Sequence, residues 1–290
     1  MRRYLFLTVI SILVLSGCVH HSPFLSEYYF QAMGDAGELV MTMDASSLKE
    51  SSLDIPENAI LERSERISVA MNPEGSTLYP LPLSDWTIYG AAEGNFGKIL
   101  VPTAISYMDG FERIKEDGVK YYSNGSISVG VPETGILLFS TGDYLEAKDK
   151  TLDNRSLLIP SELASDMAEN LFSIYVSEPK TMMDLGFELP YAVLSGMNYA
   201  LITVDETNEG FFLSSVVDFK DERDAKTFTT LMRNMIVQEI RREGGKLDFK
   251  ALSDMIVCER NRSYINDREM TREEVDLYLE RALSLSGGLI

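Results

Sequence analysis

Residues 199–242 read YALITVDETNEGFFLSSVVDFKDERDAKTFTTLMRNMIVQEIRR, and a change of period inside this stretch decides the fold class. Tyr199 to Val204 and Phe211 to Asp218 are β-branched and aromatic runs separated by the polar segment Asp205 to Gly210, the pattern of two strands joined by a turn. Beyond Asp221 the period lengthens. Phe228, Leu231, Met232, Met235, Ile236 and Ile240 fall on one stripe with charges opposite, which predicts an amphipathic helix over Glu222 to Arg242 packed on a sheet. Asp221, Glu222 and Asp224 suit the positive end of that helix better than a ligand cluster. Gly244-Gly245 stops it, because a residue without Cβ enters a left-handed turn freely.

Working outward, strand and helix signals alternate, and the order occurs twice. Leu39 to Met43, Arg66 to Met71 and Asp85 to Ala91 read as strands, with a helix expected after Gly97. Leu171 to Val176 reads as a strand and Lys180 to Leu194 as a broken helix ahead of the strand pair. The 28-residue spacing from Leu39 to Ile67 recurs from Leu171 to Tyr199, and Tyr-Leu-Glu appears at Tyr144 to Glu146 and again at Tyr278 to Glu280. The expected fold class is therefore α+β: two tandem ferredoxin-like βαββαβ-type units, residues 36–155 and 156–290, forming antiparallel sheets with helices on one face. Local signals refine this. Asn124-Gly125 predicts a type I′ hairpin, Pro132 to Gly135 a second turn, and Ile136 to Phe139 the third strand of a meander. Thr271 with Glu274 is a capping box, so a final helix is expected from Arg272 to about Ser284.

With 45% hydrophobic residues the chain is apolar enough to build a core. It has 26 Lys and Arg against 45 Asp and Glu, a formal charge of -19. Such a surface repels nucleic acid phosphates and anionic lipid head groups, because binding to either rests on Lys and Arg displacing counterions.

The start of the chain follows a different logic. Arg2 and Arg3 precede an apolar run from Tyr4 to Leu15, too short to span a bilayer core of about 30 Å. It ends in Leu15-Ser16-Gly17-Cys18, which resembles the lipobox of bacterial lipoproteins. That resemblance implies a leader over residues 1–17, lipidation of the Cys18 thiol and a lipidated tether over residues 18–35. Two or three acyl chains make a stable anchor where one does not. Val19 offers no Asp-type retention cue after the acylated cysteine, so an outer-membrane address is expected rather than an inner one. The tether is aromatic, with Phe24, Tyr28, Tyr29 and Phe30, and is expected to pack on the folded body. Cys258, the other cysteine, sits in the apolar run Met255 to Cys258 and reads as a core residue with no disulfide partner.

Catalytic signals are sparse. Both histidines, His20 and His21, lie in the tether, a poor place to hold a base against a nucleophile or to assemble a zinc site. Gly90, Gly94, Gly97 and Lys98 lack the phosphate-loop spacing and read as a strand-to-helix turn. Asp205 to Gly210 has Val216 where a calcium loop needs its bidentate Glu, and reads as a hairpin turn. The sequence thus supplies no catalytic, cofactor or metal residue. Three roles follow as expectations: a non-enzymatic envelope lipoprotein that works as an interaction or assembly module beside another envelope protein; a carrier of an apolar ligand, lodged among Met182, Met183, Met197, Met232, Met235 and Met255 between the two halves; and, less favoured, a carboxylate hydrolase of envelope polymers.

Overall fold

The computed structural model describes residues 28–33, 39–53, 59–73, 86–108, 110–153, 157–177, 190–242, 244–246 and 248–277. Its frame is one sheet of twelve strands: β1 (Leu39–Asp44), β2 (Ser64–Pro73), β3 (Trp86–Gly94), β4 (Glu112–Glu116), β5 (Val119–Ser123), β6 (Ser128–Glu133), β7 (Ile136–Ser140), β8 (Phe172–Val176), β9 (Met197–Thr207), β10 (Gly210–Phe219), β11 (Ile256–Glu259) and β12 (Arg262–Met270). Across the sheet the order is β11-β12-β10-β9-β8-β1-β2-β3-β7-β6-β5-β4, and every neighbouring pair is antiparallel.

The α+β class with a large antiparallel sheet is as the sequence implies, but the arrangement within it differs. A split βαβ unit inserts another strand between the two that its crossover joins, whereas here β1, β2 and β3, and likewise β8, β9 and β10, lie side by side in chain order and the halves share one sheet. The seam is the β1–β8 ladder, with Met41 opposite Ile174 and Thr42 opposite Ser173. Outward from it the order is β1-β2-β3-β7-β6 on one side and β8-β9-β10-β12-β11 on the other. Each half therefore runs three strands in chain order and then a hairpin entered from its far member. The doubled pattern in the sequence corresponds to this repeat, and β4 and β5 are additional to it.

Helices cover both faces, not the single face expected. On the first lie α2 (Ala45–Glu50) and α3 (Ala59–Arg63), then α4 (Leu100–Ile105), α7 (Tyr191–Leu194) and α8 (Glu222–Arg242), which bury Leu48, Leu61, Ile105, Leu194 and Phe228 in one cluster. On the second lie α1 (Tyr29–Met33), α5 (Tyr144–Lys148) and α6 (Ser161–Glu169), which bury Phe30, Met33, Tyr144, Leu163 and Met167. Central strands are consequently buried on both sides, so β1 reads as a continuous apolar run rather than an alternating one. The buried hydroxyls of Thr42 and Ser68 satisfy each other at 3.0 Å. Close packing also sets residue size. A Cβ on Gly90 would stand 2.4 Å from the Phe139 ring and 2.6 Å from the Ser68 carbonyl oxygen, so only glycine lets that ring lie against β3.

Smaller expectations fare variously. Tyr28, Tyr29 and Phe30 do pack on the body, Phe30 stacking on Tyr28 with centroids 5.1 Å apart. The capping box forms, Glu274 N–H donating to Thr271 Oγ1 at 3.2 Å and Thr271 N–H to Glu274 Oε2 at 2.8 Å. The helix it starts covers residues 272–277, and its expected remainder lies outside the described residues. Asn124-Gly125 is not a type I′ turn, since Gly125 alone of the pair has positive φ (87°). Asn124 Oδ1 instead accepts from the Ser126 and Ile127 amides and closes a longer loop. Cys258 is half-buried on the edge strand β11, packed against the margin of the core. No described helix is long and apolar enough to cross a membrane.

Candidate functional site

The turn after β3 delivers the chain into α4, and this helix is weakly built. Its N-cap, Ile99, makes no side-chain capping bond. Thr103 spends its hydroxyl on the Ile99 carbonyl at 2.6 Å. Apolar side chains face water along it: Ile99 is 78% exposed, Leu100 65%, Tyr107 84% and Met108 52%. Apolar surface gathered in one short segment is uncommon on a monomer and marks contact with something apolar.

Beneath α4 is a cavity of about 430 Å³, within the range of small-molecule pockets. Ile60 from α3, Phe96, Val101 and Ile105 from the β3–α4 segment, Phe111, and Val129 and Leu137 from the sheet line it, with Arg63 and Met108 also at its wall. Among the described residues Arg63 is its one charged lining residue.

A second cavity lies across α4, where the sheet itself opens. The β5–β6 ladder contains two pairs, Tyr122 opposite Val129 and Ser123 opposite Ser128, and β6 shifts register between Gly130 and Glu133. Pro132, lacking an N–H, sits in that shift. The resulting slot of about 570 Å³ is lined by Lys98, Pro102 and Thr103 on one side, by Arg113, Lys120 and Tyr122 of the β4–β5 hairpin, and by Gly130 to Pro132 of β6, with Lys148 also at its wall. Among the described residues no carboxylate lines it.

The hairpin sorts charge by face because strand side chains alternate with period two. In Glu112-Arg113-Ile114-Lys115-Glu116 the cations point one way and the acids the other. Arg113 stands opposite Tyr122 and Lys115 opposite Lys120 on the cationic face, while Glu116 stands opposite Val119 on the other. Directly opposed lysines are unfavourable. On the acidic face Tyr121 donates to Glu116 at 2.9 Å, and burial followed by that carboxylate pushes its phenol up to about 12. Tyr121 stacks on Tyr144 with centroids 4.6 Å apart.

Lys98 comes from the glycine-rich turn that lacked phosphate-loop spacing, and the structure does place that segment between strand and helix. Arg113 and Lys120 were not singled out by the sequence. Their signal is the alternating sign of residues 112–116, legible once those residues are known to form a strand. Cys18, the lipobox and the tether up to residue 27 lie outside the described residues, as do Met182 and Met183. The described methionines do not form a cleft between the halves, which the β1–β8 ladder joins. Met197 is buried in the core, and Met232 and Met255 pack around Ile236, Leu252 and Ile256. Acidic side chains gather elsewhere, Asp205, Glu209 and Asp267 bordering an open hollow at the β9–β10 turn. Among the described residues no group of three or more His, Cys, Asp or Glu side chains is placed to hold a metal ion.

Comparison with known proteins returned a match of fold. The architecture resembles that of TP0453. Crystal form III of TP0453 superposes with a TM-score of 0.56 at 11% identity, over 88% of this chain and 98% of that one. Crystal form I gives 0.54 at 12% identity over 88% and 96%, and form IV 0.54 at 12% over 86% and 95%. At such identity the likeness to TP0453 is one of fold alone. No family model and no curated protein matches the sequence.

Proposed function

We propose that this chain is a non-enzymatic cell-envelope lipoprotein, held at a membrane, more readily the outer one, by lipid on Cys18, and that its body binds the hydrocarbon chain of a small amphiphile under α4. The observation that carries the binding role is the cavity of about 430 Å³ walled by aliphatic and aromatic side chains beneath a weakly capped helix. An alkyl chain needs no polar partner, only the exclusion of water, at about 0.8 kcal/mol per buried methylene. The six-residue α4 can lift without breaking strand pairing, which gives such a ligand a way in.

The exposed row Ile99, Leu100, Tyr107 and Met108 favours a second reading, contact with a partner envelope protein. Titration with Nile red, a neutral dye, and its displacement by decanol separates the two. Binding at one site, lost in Ala104→Trp, which puts an indole in the cavity, is expected. Absence of saturable binding would remove the ligand role and leave the partner role. The anchor has its own assay: Cys18→Ala should abolish fatty-acid labelling and release the protein from membranes, and retained labelling would refute it.

A further inference from the structure

From the slot between β5 and β6 we infer that the amphiphile is anionic, with its phosphate or carboxylate head held by Lys98, Arg113 and Lys120 while its chain lies under α4. This rests on the apolar-chain reading above and adds the class of head group.

Two independent features lead to it. The first is charge out of keeping with its surroundings. In a chain of net charge -19, the slot is lined, among the described residues, by four cations and no acid. Lys148 is already paired with Asp153. Lys98, Arg113 and Lys120 have no carboxylate at ion-pair distance among the described residues. Lys115, opposed to Lys120, adds to the same positive face. Holding like charges together is unfavourable, and an anion between them reverses the sign of that interaction; Arg113 also offers a planar fork that matches two oxygens.

The second is placement. The slot and the apolar cavity flank the same helix over the same strand, at Val131 and Val129 respectively. Two strand residues span roughly 7 Å, so the head and chain of one molecule can occupy adjoining cavities.

The test uses the full chain with Nile red as reporter and three competitors: decanol, decyl phosphate and inorganic phosphate. Decyl phosphate should compete at least 10-fold better than decanol at low salt. In Lys98→Gln/Arg113→Gln/Lys120→Gln that advantage should fall below 2-fold while decanol is unaffected. Equal competition by decanol and decyl phosphate would overturn the head-group assignment and leave the apolar pocket standing. An advantage that survives the triple substitution would place the head elsewhere and overturn it as well. Inorganic phosphate binding as tightly as decyl phosphate, read by calorimetry, would show a site for the free anion and sever the link to the chain. Failure of decanol and decyl phosphate alike would remove this inference together with the function it rests on.

Discussion

The two halves of the sheet share a strand order and differ in how the connection before the final hairpin covers it. In the half built from β8 to β12 that connection is α8, 21 residues long, together with α9 (Phe249–Met255). Phe228 on α8 fills the space over the strands, its ring 5.4 Å from that of Phe219. In the half built from β1 to β7 the connection is α4, six residues long, followed by the extra hairpin β4–β5. Leu100 faces solvent there, and a cavity remains beneath. One scaffold thus yields a filled core under a long helix and a pocket under a short one.

The strongest way to break this contrast is to truncate one apolar side chain on each helix. Phe228→Ala should lose about 3–5 kcal/mol in urea unfolding, as large-to-small changes in packed sites do. Leu100→Ala, at a position 65% exposed, should stay within about 0.5 kcal/mol of wild type. Similar losses at both would show that α4 is packed like α8, and the contrast would fail.

Next in size is a polar anchor of the filled half. Asp218, 7% exposed, accepts from Asn198 Nδ2 at 2.7 Å, Asn261 Nδ2 at 3.2 Å and Arg262 Nε at 2.9 Å. Asp218→Ala strands those donors and should cost about 2 kcal/mol, measured the same way. A loss under about 0.5 kcal/mol would show that the donors simply rehydrate.

In the other half, Gly130→Ala places a methyl 2.5 Å from the Tyr144 hydroxyl and should cost about 1–3 kcal/mol by overpacking. Tyr144→Phe in the same chain should recover part of it, because the two positions are in contact. Additive effects in thermal melts would show that the clash is with something else.

The smallest effect is electrostatic. Burial first, then Glu169 and Glu162, raise the Asp166 carboxyl above its ordinary value of 3.8. The folded state therefore holds this proton more tightly, and the stability it lends is full below pH 3.8 and lost as pH rises through the raised value. Asp166→Asn should accordingly raise Tm slightly at pH 7 and leave it unchanged below pH 3.8; a lower Tm at pH 7 would contradict the sign.

What the sequence reveals depends on how strongly each segment speaks by itself. The strand pair Tyr199 to Asp218 and the helix Glu222 to Arg242 show their periods openly and form as expected. β4 and β12 escape such a reading. Glu112 to Glu116 has a single apolar residue, as befits a charged edge strand that discourages further pairing. Arg262 to Met270 carries mostly polar side chains because β12 lies near the opposite edge. The expected ferredoxin-like order failed for a related reason: hydrophobic alternation specifies which face is buried, not which neighbour is paired. The candidate site was least legible. Its cavity arises from a helix too short to cover its strands, and its cations come together from Lys98, Arg113 and Lys120, separate in sequence and assembled by the sheet.

The most direct test of the account is native mass spectrometry of the full chain isolated from membranes, with gentle activation to expel whatever is held without a covalent bond. One alkyl-chain acid or phosphate per protein is expected from wild type, and none from Ala104→Trp. An empty wild-type protein, or the same adduct on both, would contradict it.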